Sequence, residues 1–356
     1  IEDVDFITIS RDPSANIYKK ITHSLKNLVS LKILKDRLEN TKKVGSIKSK
    51  LAYSLSIAKE DIKAEVVNVE HHRAHMASAF FASPFKESAI LSIDGFGDFT
   101  STMIGTGKDK KIEVLDSVIY PHSVGIFYTA FTQYLGFENY GDEYKVMGLS
   151  PYGDPTLVDK IKDVLIFKKN GLFEINKSYF KHPKDGVSMS WENGDPFIEN
   201  IFSPYMEKVF GKARKKGESL TQYHKDLASS IQKVTEDLIF HILNHLQKRT
   251  GLKNICIAGG VAQNSVANGK ILDNTTFENM YIPPAGHDAG TAIGSALWLY
   301  NHIQENDRIE PMYHSYFGSK FSDKEVEEYL KSQNIEYTKY SDEELNDKVS
   351  DCLINA

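Results

Sequence analysis

Residues 88–120 read SAILSIDGFGDFTSTMIGTGKDKKIEVLDSVIY, and their punctuation decides the fold. Three apolar, β-branched runs follow in quick succession, split by Gly- and Lys-rich turns. That predicts three strands in a meander. Upstream, DFITIS and AEVVNV predict two short buried strands, with helical segments between about Ala15 and Ala58. HHRAHMASAFFA predicts a helix closed by Pro84, and SVGIFYTAFTQYLGF a helix ending at Gly136. Ser219 is the expected cap of a long amphipathic helix running to Thr250. Leu220, Tyr223, Leu227, Val234, Leu238 and Ile242 form its core stripe and Gly251 its stop. After it, NICIAGG is a buried strand leading into a helix from Ala262, ENMYIPP another strand and HDAGTAIGSALWLYNHI another helix. A meander first and strand–helix alternation later predict an α/β fold in two lobes. The Pro-, Gly-, Asn- and Lys-rich middle, 151–218, reads as an irregular insertion with its own small contacts, and its basic run GKARKKGES as a solvated loop. The expected division is therefore 1–150, 151–218, 219–310 and 311–356.

Composition narrows the function classes. The 356 residues are 41% hydrophobic and 26% charged, an ordinary globular mix that excludes general disorder. No apolar run approaches the ~20 residues of a membrane span. A net charge of −5 disfavours a protein built mainly to hold nucleic acid. Two cysteines, Cys256 and Cys352, exclude a disulfide scaffold and suit a reducing, cytoplasmic setting. The chain opens on Ile1 without a signal-peptide pattern and closes at Ala356 inside a helical pattern, so it reads as a piece of a longer protein, cut at both ends.

Five constellations can carry chemistry. In Glu70-His71-His72-Arg73-Ala74-His75, His71 and His75 lie four apart on one helical face, and two imidazoles on one turn can grip a metal ion. No Glu follows the first His, so this is not a zincin motif, and a partly buried polar helix start also fits it. Asp94-Gly95-Phe96-Gly97-Asp98 reads as a tight hairpin whose carboxylate can hold a cation and whose Gly95 and Gly97 let backbone approach phosphate. A plain turn fits as well. In CIAGGVAQNSVANGK, Gly259 and Gly260 lead from strand to helix as at a nucleotide site, with Asn264 and Asn268 on one face for ribose or base; a tight structural turn is the alternative. In PPAGHDAGTAIGSA, Asp288 stands at a helix start, where it can cap or ligate. In GDEYKVMGLSPYGDP, Lys145 can neutralise phosphate charge or form a surface salt bridge. Two His and two Asp together make an N₂O₂ set that suits Fe(II), Mn(II) or Zn(II) better than Ca(II).

With VEHHRAHMASAFFASPF, SIDGFGD, PHSVGIFYTAFTQYLGF, DEYKVMGLSPYG, GGVAQNSVANGKI and PAGHDAGTAIGSA in this order, the sequence resembles the O-carbamoyltransferases of antibiotic and nodulation-factor biosynthesis over roughly residues 1–340. It is also similar to the tRNA threonylcarbamoyl transferases. The resemblance implies the actin/hexokinase/Hsp70-like (ASKHA) ATPase fold. It implies metal ligands at His71, His75, Asp94 and Asp288, with His72 outside the register, and nucleotide contacts at Asp94, Gly95, Gly97, Gly148, Gly259, Gly260 and Asn264. Lys145 and Gly148 match a family segment, with Lys145 a candidate catalytic group.

The implied cofactors are ATP and a divalent metal, Fe(II) foremost. The implied reaction passes a carbamoyl group from carbamoyl phosphate, through a carbamoyl-adenylate, to a small-molecule hydroxyl. The family's Ser-x-x-His-Asp strand pair and its C-terminal activating domain have no counterpart here. The resemblance thus implies a fold incomplete at its N-terminus, weak nucleotide binding by this chain alone, and a bare sheet edge inviting a homodimer. The alternatives are a tRNA threonylcarbamoyladenosine-type transferase, a sugar or acetate kinase of the same fold, and a non-catalytic nucleotide-binding relative.

Overall fold

The computed structural model describes residues 2–27, 47–187, 189–192 and 195–355. Strand β1 (Phe6–Ile9) is followed by helices α1 (Ile17–Asn27) and α2 (Ile47–Leu55), the rest of the predicted helical stretch lying outside the described residues. Strand β2 (Glu65–Asn68) pairs parallel with β1, Phe6 opposite Glu65. Helix α3 (His71–Phe80) leads into the meander β3 (Glu87–Gly97), β4 (Thr100–Lys108) and β5 (Lys111–Ile119). Helices α4 (Val124–Tyr134) and α5 (Glu143–Leu149) come next.

The meander is the antiparallel half of a five-stranded sheet. Strands β10 (Asn254–Ala258) and β11 (Asn279–Tyr281) extend it in parallel, giving the order β11-β10-β3-β4-β5. Alternation along the central strands explains their unbroken apolar runs, since both faces are covered. Ala89, Leu91 and Ile93 of β3 and Ile255 and Ile257 of β10 face one buried cluster with Phe127, Phe131 and Val234. Ile90, Cys256 and Ala258 face another, with Met76, Phe80 and Trp298. The molecule is a mixed α/β protein.

The stretch 151–218 departs from expectation. It holds α6 (Val158–Lys162), the hairpin β6 (Leu165–Phe167) and β7 (Phe173–Ile175), α7 (His182–Asp185), the hairpin β8 (Met189–Glu192) and β9 (Asp195–Ile198), and α8 (Pro204–Phe210). Among the described residues it has no separate core. Ile161, Leu165, Phe173, Phe202, Met206 and Phe210 join the same cluster as Phe127. Each short element contributes one or two apolar side chains, too few to show a period in sequence. Arg214 in the basic run is also not merely solvated, because its guanidinium donates to the Leu135 carbonyl at 2.7 Å, at the end of α4.

Helix α9 (Gln222–Thr250) begins two residues later than predicted, capped by Thr221 rather than Ser219, and Leu220 and Tyr223 are partly exposed while Leu227, Val234, Leu238 and Ile242 are buried. Gly251 ends it in the left-handed conformation, φ 69°. Past β10 come α10 (Ser265–Asn268), α11 (Ile271–Asn274), β11 and α12 (Thr291–Leu297).

The chain divides into Ile1–Tyr313 and His314–Ala356. In the second unit, α13 (Asp323–Ser332) and α14 (Asp342–Ile354) each open on a Ser/Glu capping box and hold no buried residue. No described helix is long and apolar enough to cross a membrane.

Candidate metal centre

Helix α3 starts where the Glu70 carboxylate accepts the Arg73 N–H at 2.8 Å. It ends where Arg308 Nη2 donates to the carbonyls of Phe80 at 2.6 Å and Ser83 at 2.7 Å. Helical spacing sends His71 and His75 to one side and His72 to the other. His72 is fully buried, with Nδ1 2.7 Å from Ser92 Oγ. Burial pushes its pKa well below the usual imidazole range, so it is a neutral core group outside the ligand register.

Strand β3 supplies Asp94 at a register shift between Ile93 and Gly97. The tight hairpin read over Asp94–Asp98 turns only at the far end of that stretch. Its turn falls at Asp98 and Phe99, both at positive φ (47° and 76°), with Gly97 paired to Thr100. Asp94 therefore lies within the strand, and its two oxygens divide their work. Oδ2 is 3.1 Å from Nε2 of both His71 and His75. Oδ1 accepts the N–H of Gly95 at 2.7 Å and of Gly260 at 3.1 Å.

Asp288 arrives from the far end of the chain. The cap of its helical turn is His287, whose Nδ1 accepts the Ala289 N–H at 3.0 Å, which leaves the Asp288 carboxylate free. Its Oδ1 stands 3.5 Å from His71 Nε2 and 3.4 Å from His75 Nε2. Gly294 permits this approach: a Cβ there would stand 1.9 Å from the Ala74 carbonyl oxygen of α3. Strand β1 holds α12 from its other side through Thr8 to Ser295 at 2.9 Å, and Thr291 donates to Ser10 Oγ at 2.8 Å.

One atom each of His71, His75, Asp94 and Asp288 lies within 4.8 Å of all the others. The two imidazole Nε2 atoms are themselves 3.1 Å apart. A first-row ion bonded at about 2.1 Å holds neighbouring ligand atoms about 3.0–3.5 Å apart, so these four atoms fit one. His75 Nδ1 is buried without a hydrogen-bond partner, which leaves Nε2 as the engaged nitrogen of that ring. Burial pulls the His75 pKa down, but hydrogen bonds to Asp288 and Asp94 outweigh it and hold it at about 9. Burial pushes Asp94 up, and its bonds to His71 and His75 bring it well below the usual carboxylate range. The site thus holds negative charge that either protons or a cation must balance.

A family model described as carbamoyltransferase N-terminus matches residues 15–297. The chain belongs to this carbamoyltransferase family. An uncharacterized protein of Synechocystis sp. is 41% identical over 292 residues, covering 80% of this chain and 45% of its own length. Nodulation protein NolNO of Sinorhizobium fredii is 36% identical over 267 residues, covering 74% of this chain and 35% of its own. A tRNA N6-adenosine threonylcarbamoyltransferase of Fervidobacterium nodosum is 30% identical over 171 residues, 46% of each chain. The chain thus spans less than half the length of these relatives.

The remaining candidates of this carbamoyltransferase chain fall into two groups. Gly95, Gly97, Gly259 and Gly260 gather at Asp94. Gly259 has φ 104° and a Cβ there would meet the Ile93 carbonyl oxygen at 2.1 Å; a Cβ on Gly97 would strike the His71 ring at 2.0 Å. Asn264, read from the sequence as a ribose or base contact, is held by groups of the protein itself. It exchanges two 2.9 Å hydrogen bonds with Gln232 and accepts the Ala267 N–H at 3.0 Å. Asn268 donates to the Ala262 carbonyl at 2.7 Å. Lys145 forms the salt bridge that was its plainer reading, 2.7 Å to Asp142, and a Cβ on Gly148 would meet open space. Sequence reasoning missed Tyr140, whose phenol is raised by burial and then by the charges of Asp288 and Asp94. It also missed the cap that His287 forms, and it read Asp98 only as part of the hairpin.

Proposed function

We propose that this chain is the metal- and nucleotide-holding part of an ATP-dependent O-carbamoyltransferase. It serves the transfer of a carbamoyl group from carbamoyl phosphate, through a carbamoyl-adenylate, to a hydroxyl of a sugar or small natural product. The observation that carries the reading is the convergence of His71, His75, Asp94 and Asp288 beside the Gly259–Gly260 turn. The family membership and the 36% identity to NolNO support it. A mixed sheet with helices on both faces is in keeping with an ASKHA-type ATPase lobe.

A divalent ion bound by these four residues, Fe(II), Mn(II) or Zn(II), would supply positive charge to phosphate oxygens. The chain's own groups prepare the place. The Gly95 and Gly260 N–H groups hold one oxygen of Asp94 and leave the other toward the histidines. Buried His75 keeps water from one side of the centre. Tyr140 stands near enough for the charges of Asp288 and Asp94 to act on its phenol. Lys145 is held by Asp142 and keeps further N–H donors for a phosphate.

The test is product analysis with ATP, carbamoyl phosphate and Mn(II). AMP that forms only when carbamoyl phosphate is present supports the reading. ADP as the product, or AMP formation indifferent to carbamoyl phosphate, contradicts it.

A further inference from the structure

The hairpin tip that follows Asp94 contains a second carboxylate that touches no candidate ligand side chain. Asp98 Oδ2 accepts two backbone N–H groups, from His71 at 3.0 Å and from Asp12 at 2.7 Å. The His71 N–H opens α3 and has no partner within its own helix, so Asp98 supplies a cap that Glu70 does not. The same tip binds the N-terminal segment again. Asn16 Nδ2 donates to the Asp98 carbonyl at 3.1 Å and to Thr100 Oγ1 at 3.2 Å. The preceding residue, Gly97, leaves the space that the His71 ring fills. The backbone and ring of His71 are thus both seated on this hairpin, and the segment Asp12–Asn16 is fastened to the same carboxylate.

We propose that Asp98 is a positioning residue: the acceptor it shares between His71 and Asp12 sets the direction of the His71 imidazole at the metal centre. It also makes the order of the Asp12–Asn16 segment part of that centre's geometry. Gly97 alone would leave the ring room to turn, and α3 alone would leave the His71 N–H unpaired. The shared carboxylate oxygen removes both freedoms. This inference rests on the reading of His71 as a ligand.

The test is Co(II) titration of the whole chain against a competing chelator, with the visible ligand-field spectrum recorded. Outer partners of metal ligands typically contribute 10–100-fold in affinity. Asp98→Ala is expected to bind Co(II) about tenfold or more weakly, with an altered spectrum. Asp98→Asn keeps an oxygen acceptor and is expected to restore the wild-type spectrum and most of the affinity. Wild-type affinity and spectrum in Asp98→Ala overturn the proposal. So does an Asp98→Asn protein as weak as Asp98→Ala, since charge would then be the cause. Amide hydrogen exchange in the wild-type chain needs no variant: the His71 amide is expected to be protected, and exchange at the rate of an open loop overturns the proposal. A wild-type chain that takes up no Co(II) refutes the ligand reading itself, and the His71 amide then still tests Asp98.

Discussion

The Gly260 N–H donates to Asp94 Oδ1 at 3.1 Å, joining the glycine-rich turn after β10 to the carboxylate that faces both histidines. Two motifs 166 residues apart in sequence are thereby one site. The turn holds one oxygen of Asp94 in place.

A Cβ on Gly260 would stand 2.7 Å from Asp94 Oδ1. The carboxylate can rotate away, so the fold should tolerate the change while the centre does not. Gly260→Ala is expected to keep a melting temperature within a few degrees of wild type and to lose about tenfold or more in Co(II) affinity. Chelator competition alongside thermal melting checks both halves.

At Gly294 the obstacle is the backbone of α3, with the Ala74 carbonyl oxygen 1.9 Å from an added Cβ. Helices α12 and α3 must then part, carrying Asp288 from the histidines. Gly294→Ala is expected to cost about 1–3 kcal/mol in urea unfolding, as overpacking does, and to lower metal content. Stability loss with full metal content would show that Asp288 reaches the site by another route.

The sequence made the ingredients of this site legible, but not their supports. His71 and His75 share a face because helix geometry demands it at a spacing of four. The strands were readable because runs such as AILSI are buried on both faces. Asp288 remained open between cap and ligand, because either role suits an Asp at a helix start; only the structure shows the His287 side chain taking the cap. Asp98 was read as part of a generic hairpin, because a turn at two non-glycine residues in positive φ has little sequence signature. Asn264 looked free for a ligand, because Gln232, its partner, lies 32 residues away.

That amide pair makes its own prediction. Gln232 bonds Asn264 twice, accepts from Tyr128 at 3.0 Å, and donates to Glu236 at 2.9 Å, whose other oxygen meets Lys270. Gln232→Ala leaves buried amide groups unpaired and is expected to cost about 1–3 kcal/mol. Asn264→Ala should cost a similar amount, and the double variant clearly less than the sum, by about 0.5 kcal/mol or more. Urea unfolding of the four proteins measures the coupling. Strict additivity would mean that the pair contributes nothing as a pair.

His182 sets a pH dependence of stability. Burial holds its pKa down to about 4, against 6.5 for the free side chain, despite the 2.8 Å contact of Nε2 with the Pro121 carbonyl. The folded state therefore binds its proton later than the unfolded state does. Its contribution is complete above about pH 6.5 and is lost as pH falls toward 4. His182→Gln is expected to flatten the fall in unfolding free energy between pH 6.5 and 4.5, by up to about 1.4 kcal/mol per pH unit. Equal slopes in both proteins would remove His182 as the cause.

The central claim is that His71, His75, Asp94 and Asp288 hold one metal ion. Elemental analysis of anaerobically purified protein, wild type beside His75→Ala, tests it most directly. The account predicts near one equivalent of iron, manganese or zinc in the wild type and its loss in the variant. No metal in the wild type, or the same content in both proteins, would contradict it.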